Sequence, residues 1–300
     1  MSSAAAAARQ TTFRLRVGQL TLQVDAAPAS TRALRPPPVY RPFLASRGHD
    51  IRLTLTEEGV PRPPRSDLLF ASGGVWRVYR FGEGLLYQFR SPACDPAFYK
   101  AVAIDEALTR GRLHFPPGRC RPGFALEYPL DELLFQHRLA REGHVTLHAC
   151  GLTVGRKAVL FCGESGAGKS TTAHLWSRLR PGTLVLSDDR IVVRGDGRGR
   201  RAFGTPWHGE ARFGAAASRG IAAVFVLRHA RRTTVRPLTP GEAAGVLFAR
   251  SFPPPWDALA VGRILESCCD LAATTPCYEL RFRPDESAVT AVLATLRDLR

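Results

Sequence analysis

With 300 residues and 45% hydrophobic side chains, the chain can fold into one large domain or two ordinary ones, which excludes an intrinsically disordered protein. No apolar stretch reaches the roughly 18–20 residues of a membrane helix, and residues 1–10 lack a secretory signal pattern, so we expect a cytoplasmic protein without membrane association. The formal charge of +16 comes mostly from arginines dispersed along the chain, which argues against nucleic acid as a partner and favours anionic ligands or acidic partners.

The first part of the chain has the pattern of a β-rich accessory domain at residues 13–127, after a disordered tail at residues 1–12. Apolar and polar residues alternate on both sides of Gly18-Gln19, which predicts a β-hairpin. Further strand patterns follow at residues 53–55, 75–79 and 85–87. Proline clusters at residues 36–38 and 61–64 separate these strand patterns.

The second part, residues 128–300, begins with a predicted helix at residues 129–141 and then alternates strand and helix patterns. The predicted strands cover residues 145–154, 158–162, 183–187, 191–193, 221–227 and 277–282, with a hairpin turn at Asp196-Gly197. The predicted helices cover residues 170–178, 240–250, 258–272 and 287–299. This alternation is typical of an α/β fold.

Cysteine spacing argues against two kinds of structural site. The seven cysteines lie at positions 94, 120, 150, 162, 268, 269 and 277. Their odd number and the absence of a CxxC pair predict neither a disulfide framework nor a zinc site. We expect most of them to be buried free thiols.

A phosphate-binding loop is predicted at residues 163–170, which fit the GxxxxGK[ST] pattern between an apolar strand and a helix. Glycines allow backbone N–H groups to surround a phosphate, and the start of the following helix is positively polarised. Lys169 can neutralise the β- and γ-phosphates, and the Ser170 hydroxyl can bind Mg²⁺. The residues assigned to nucleotide contacts are Gly163, Glu164, Ser165, Gly166, Ala167, Gly168, Lys169, Ser170 and Thr171. ATP and Mg²⁺ are the expected cofactors.

Two adjacent acids, Asp188 and Asp189, end the apolar strand that follows the loop. A carboxylate at this position can hold the metal directly or through water, and its neighbour can accept a proton from an attacking hydroxyl. A β-turn cap is the competing interpretation, because Ser-Asp-Asp also suits turns.

Two further residues have a functional and a structural interpretation. His148 lies in the strand before the loop, where a histidine can be packed and hydrogen-bonded or can take part in chemistry. Glu210, in a loop of polar and aromatic residues, can assist the metal or the substrate or can belong to a surface turn.

Together, His148, the loop through Ser170 and the segment around Asp188 and Asp189 resemble the catalytic domain of HPr kinase/phosphorylase, a bacterial enzyme that phosphorylates a serine of the phosphocarrier HPr. The resemblance covers residues 145–210 and implies a phosphoenolpyruvate carboxykinase-like P-loop domain in mixed β-structure. It implies that Asp188 and Glu210 are metal-linked and that Asp189 is the acid/base on the hydroxyl, although the adjacent acids could exchange roles. Residues 204–214 replace the family's glycine-rich signature, and the N-terminal half does not resemble the family's regulatory domain, so HPr itself is not implied as the substrate.

The leading hypothesis is an ATP-dependent kinase acting on a hydroxyl, preferably a serine, of a protein, a peptide or a small metabolite. Asp189, His148 and Lys169 are its expected catalytic residues, and an arginine such as Arg190, Arg212 or Arg228 completes the charge clamp. The alternative is a nucleotide-binding regulatory ATPase without phosphate transfer. The β-rich half is expected either to select the acceptor or to hold the subunits of a homo-oligomer together.

Overall fold

The computed structural model describes residues 11–91, 98–117, 123–195 and 199–299, and within these ranges it is a mixed α/β structure with two large β-sheets. The chain divides into two compact units, Met1–Leu134 and Phe135–Arg300. No helix within the described ranges is both long and apolar enough to cross a bilayer. Predictions made for residues 1–10, Cys94, Cys120 and the Asp196-Gly197 turn lie outside these ranges.

The first unit is built on one sheet. Its strands are β1 (Thr11–Val17), β2 (Leu20–Ala26), β3 (Ile51–Thr56), β4 (Leu68–Ala71), β5 (Trp76–Phe81), β6 (Gly84–Phe89), β7 (Lys100–Asp105) and β8 (Arg110–His114). Their order is β1-β2-β3-β8-β7-β6-β5-β4, with β2–β3 and β3–β8 parallel and the other pairs antiparallel. β1 therefore includes Thr11 and Thr12, which the sequence pattern assigns to the tail. Short 3-10 helices lie at Pro28–Leu34, Pro38–Phe43 and Arg65–Asp67.

The predicted hairpin joins β1 and β2, which pair antiparallel. Gly18 and Gln19 both have positive φ angles, 54° and 69°, which is the backbone conformation that matches the twist of a two-residue hairpin. Every residue of β2 is buried, the polar ones included. Its polar side chains are buried at low cost because they bind one another and a neighbour: Gln23 Nε2 lies 2.9 Å from Asp25 Oδ1, and Arg52 Nε lies 2.7 Å from Asp25 Oδ2.

The second unit begins at Phe135, within helix α1 (Leu130–Arg141). Its strands are β9 (Val145–Val154), β10 (Lys157–Cys162), β11 (Val185–Ser187), β12 (Arg190–Gly195), β13 (Arg200–Phe203), β14 (Ser218–His229), β15 (Thr234–Pro237) and β16 (Cys277–Phe282). Its further helices are α2 (Lys169–Leu179), α3 (Pro240–Ala249), α4 (Ala258–Thr274) and α5 (Glu286–Arg297). The sheet order is β10-β9-β12-β13-β14-β16-β15, with β11 on β9 and a parallel pairing of β10 with β14.

Helices cover both faces of this second sheet. Leu147 of β9 and Leu160 of β10 pack in a buried cluster with side chains of α3 and α4. The intervening residues of the same strands, among them Cys150 and Phe161, pack with α2 and α5 on the opposite face. Because side chains alternate along a strand, the apolar run of β10 fills both cores. The loop that follows β10 therefore begins at the end of a strand that is packed on both faces.

The five described cysteines are all free thiols. Cys150, Cys162, Cys268 and Cys277 are buried, as predicted, whereas Cys269 is exposed. Burial raises the pKa of Cys162 and Cys268 to about 12 and that of Cys277 to about 11, so these three remain protonated thiols at neutral pH.

Candidate active site

The predicted strand–loop–helix unit is present at residues 163–168, between the end of β10 and the start of α2. Gly166 and Gly168 have φ angles of 78° and 97°, a left-handed conformation that side chains other than glycine rarely adopt. A Cβ atom on Gly168 would also lie 2.8 Å from the Phe282 ring. Gly168 is the N-cap of α2 and makes no side-chain bond to the first N–H groups of that helix. These groups are therefore available to an anion.

Lys169 is held against the loop that precedes it. It is 6% exposed, and its Nζ donates to the backbone carbonyls of Gly163 at 3.2 Å and Glu164 at 2.8 Å. Burial lowers the pKa of Lys169, and the negative charge of Asp189 opposes this effect. Because an ammonium group has three donors, the two carbonyl contacts leave one for another acceptor.

Asp188 is fully buried and connects three parts of the unit. The Ser170 hydroxyl donates to its Oδ2 at 3.1 Å, which ties it to the first turn of α2. The backbone N–H groups of Gly209, Ala211 and Phe213 also donate to it, at 3.1, 3.0 and 3.2 Å. A carboxylate has about four acceptor positions, and these four donors occupy them. The arrangement suits a carboxylate that reaches a cation through the Ser170 hydroxyl.

Asp189 has a different environment from its neighbour. Its side chain is 23% exposed, its Oδ1 lies 2.8 Å from His148 Nε2, and its Oδ2 pairs with Arg190. Burial acts to raise the pKa of Asp189, but the hydrogen bond from His148 and the positive charges of Arg190 and Lys169 hold this pKa below its usual value. Asp189 is therefore an ionised, partly accessible carboxylate, whereas Asp188 is enclosed.

The register between strands brings His148 and Asp189 together. β12 pairs antiparallel with β9 so that Arg190 lies opposite His148. The Asp189 carbonyl also accepts a hydrogen bond of 3.1 Å from the Ala149 N–H. A residue that precedes the loop at residues 163–168 in the chain and one that follows it thus meet at the middle of β9.

The segment after α3 contributes residues that the sequence analysis missed. The backbone carbonyl of Arg250 accepts a hydrogen bond of 2.7 Å from the His148 N–H, and its guanidinium pairs with Glu164 of the loop. The Phe252 ring lies 4.3 Å from the Arg190 guanidinium carbon. No motif marks these two residues; the end of the predicted helix at residue 250 is the one local signal.

Other predicted residues lie apart from these contacts. Glu210 is exposed, and its side chain forms no hydrogen bond or ion pair with a described residue, although the adjacent residues bind Asp188 through their N–H groups. Thr171 is exposed in the first turn of α2. Arg212 and Arg228 are exposed, and Arg228 lies 4.0 Å from Glu279.

Within the described ranges, no three or more His, Cys, Asp and Glu side chains are grouped so that they could hold a metal ion. Mg²⁺ is commonly bound by one or two protein groups together with water and phosphate oxygens. The Ser170 hydroxyl, which Asp188 holds, fits a cation that shares its coordination with a bound phosphate, and the two residues do not form a cage on their own.

No protein-family model matches the sequence, and no curated protein matches it. Among solved structures, the chain is similar to one described as the HPr(Ser) kinase/phosphatase from Coxiella burnetii. The TM-score is 0.30 and the identity 13%, over 51% of this chain and 88% of that one. This similarity is distant and does not by itself assign a family or a reaction to the chain.

Proposed function

We propose that this chain is an ATP-dependent kinase that transfers the γ-phosphate to a hydroxyl group, either a serine of a protein or peptide or the hydroxyl of a small metabolite. One observation carries the proposal: Ser170 of the phosphate loop bonds to Asp188, and the next residue, Asp189, bonds to His148. A phosphate-binding element and a polarised carboxylate are thereby connected through two adjacent residues.

ATP with Mg²⁺, when bound, supplies the transferable phosphoryl group and neutralises part of its charge. The open N–H groups at the start of α2 would hold the phosphates, and the third donor of Lys169 would reach their outer oxygens. Ser170 would face the cation while Asp188 keeps its hydroxyl oriented. Glu210 is proposed as the second metal-linked carboxylate, because the residues on both sides of it are held by Asp188.

Asp189 would orient the hydroxyl of the acceptor and take its proton as the hydroxyl oxygen bonds to the γ-phosphorus and the bond from that phosphorus to ADP breaks. Its lowered pKa makes it ionised and ready to accept at neutral pH, although it is only a weak base. His148 and Arg190 would hold the carboxylate in position, since each contacts one of its oxygens. Such transfer depends mainly on positioning and charge.

A regulatory ATPase without phosphate transfer is the second candidate. The observation that favours it is that both oxygens of Asp189 already have partners, so that a hydroxyl acceptor must displace or share one of them. Hydrolysis could then proceed slowly without an acceptor.

The test is incubation of the purified chain with γ-labelled ATP and a cell extract. The set would comprise the wild type, Lys169→Ala, Asp189→Asn and Glu266→Gln, the last changing an exposed carboxylate on α4. A kinase labels a discrete acceptor with the wild type and Glu266→Gln alone. Free phosphate as the sole product supports the regulatory ATPase, and undiminished labelling by Lys169→Ala contradicts both functions.

A further inference from the structure

A cavity of about 570 Å³ lies in the first unit. The residues that line it all belong to this unit: Gly59, Val60, Arg62, Pro63 and Arg65, Arg77 and Tyr79 of β5, Gln88 of β6, and Phe98 and Pro116. Its volume is in the range of small-molecule sites. None of the residues assigned above to phosphate transfer lines it.

The described residues that line this cavity carry positive charge and no negative charge. Arg62, Arg65 and Arg77 line it, and no acidic side chain is among the described lining residues. Within the described part of the chain, none of the three forms an ion pair. Arg77 Nη1 donates to Tyr79 Oη at the long distance of 3.4 Å. The guanidinium groups therefore retain donors for an anion.

A fourth arginine, Arg90, lies beside the lining residue Phe98. The guanidinium carbons of Arg77 and Arg90 lie 5.2 and 4.4 Å from the centroid of the same Phe98 ring. Arg90 Nε is buried and has no hydrogen-bond partner among the described residues. Two cations beside one ring repel each other, and a buried donor without an acceptor is costly, so a nearby anion would relieve both effects.

The remaining walls suit an apolar body. Tyr79 belongs to a buried cluster with Leu86 and Ala101, and Val60 packs against it. Gln88 is buried, and its Nε2 donates to the carbonyl of Pro61, which fixes the amide and leaves Oε1 as an acceptor. Pro63 lies in this wall between Pro61 and Pro64, and these prolines restrict the backbone there, which lowers the entropy cost of binding.

We propose that the first unit binds a small organic anion in this cavity, with a carboxylate or phosphate on the arginines and an aromatic or apolar body against Tyr79 and Phe98. Charge alone would suit inorganic phosphate, but the apolar walls add affinity for a body that inorganic phosphate lacks. The volume suits a free small molecule.

The test uses isothermal titration calorimetry of the full chain with two probes, phenyl phosphate and 2-naphthoate, which separate a phosphate from a carboxylate ligand. Inorganic phosphate is the control that carries the negative charge without an aromatic body. 2-Naphthalenemethanol is the control that carries the aromatic body without a charge. The variants are Arg62→Gln/Arg77→Gln, Arg62→Gln alone in case the double variant does not fold, and Lys169→Ala. The control, Arg16→Gln/Arg110→Gln, removes two charges from exposed residues of the same unit.

We expect at least one aromatic anion to bind, and the cavity variants to weaken it roughly 10-fold or more, as loss of charge-assisted hydrogen bonds requires. The control and Lys169→Ala should bind it like the wild type. Loss of binding in Lys169→Ala would place the probe at the phosphate loop and overturn the proposal. Undiminished binding in the double variant would also overturn it, as would binding of 2-naphthalenemethanol or inorganic phosphate equal to that of the aromatic anions. A third contrary result is the absence of binding by both probes at about 1 mM, a concentration at which a dissociation constant near 1 mM is detected.

Discussion

His148 and Asp189 lie 41 residues apart in the chain, yet His148 Nε2 is 2.8 Å from Asp189 Oδ1. The antiparallel register of β9 and β12 brings them together, and Arg190 pairs with the other oxygen of the same carboxylate. An accessible carboxylate held between a histidine and an arginine can receive a proton without losing its position. The first two predictions follow from this pair.

Asp189→Asn should lower phosphate transfer by about 10²–10⁴-fold, the usual contribution of a positioned acid or base, because the amide cannot accept the proton. ATP affinity should change little, since the loop contacts remain. Single-turnover transfer and equilibrium ATP binding would be measured, with Glu266→Gln as the control. Transfer at the wild-type rate would exclude Asp189 as the base.

His148→Ala should move the acidic limb of the pH–rate profile to higher pH. The hydrogen bond from His148 helps to lower the pKa of Asp189, so its removal raises that pKa and activity is lost earlier as the pH falls. The rate at several pH values would be compared with that of His49→Gln, a change at an exposed histidine. A profile that keeps its acidic limb in place would show that His148 does not act on this carboxylate.

Asp188→Asn should destabilise the chain by about 3 kcal/mol, because a buried carboxylate with four donors is replaced by an amide that brings its own N–H groups toward them. Amide exchange at Gly209, Ala211 and Phe213 should accelerate together. Denaturant unfolding and hydrogen exchange would be recorded, with Asp298→Asn as an exposed control. Unchanged exchange at these three amides would contradict the anchoring role.

Gly168→Ala should weaken nucleotide binding and destabilise the chain more than Gly182→Ala does. Both glycines have left-handed φ angles, 97° and 89°, but a Cβ at Gly182 meets no atom within 4 Å, whereas one at Gly168 would lie 2.8 Å from the Phe282 ring. Gly182→Ala should therefore cost about 1–2 kcal/mol of conformational strain alone. Adding Phe282→Leu to Gly168→Ala should cost less than the sum of the single changes, and strict additivity in unfolding experiments would exclude the clash.

Stability should fall between pH 6.5 and pH 4 because of His144. Burial, with the positive charges of Arg194 and Arg200, lowers the pKa of His144 from 6.5 to about 4. In that interval the unfolded chain binds the proton more tightly, so this contribution is complete above pH 6.5 and is lost as the pH falls toward 4, by up to about 3 kcal/mol. Unfolding at pH 7 and pH 4.5 would measure it. His144→Gln should flatten this dependence and His49→Gln should preserve it; an equal slope in all three proteins would contradict the assignment.

Local patterns in the sequence determined most of the elements. The alternation around Gly18-Gln19 predicted the first hairpin, and the apolar run of β10 followed by a glycine-rich turn predicted the start of α2. These features depend on neighbouring residues, so they can be read without knowledge of the fold. β4, β7, β8 and β15 were not predicted. The four residues of β15 end in a proline, and in the described part of the chain they pair with β16.

Tertiary structure decided how the candidate site is arranged. Sequence alone left Asp188 and Asp189 interchangeable, whereas the N–H groups of residues 209–213 enclose the first and leave the second beside His148. Arg250 and Phe252 reach the site because α3 returns the chain to β9. These contacts join residues far apart in the chain, and their geometry depends on strand register and loop return, which local periodicity does not encode.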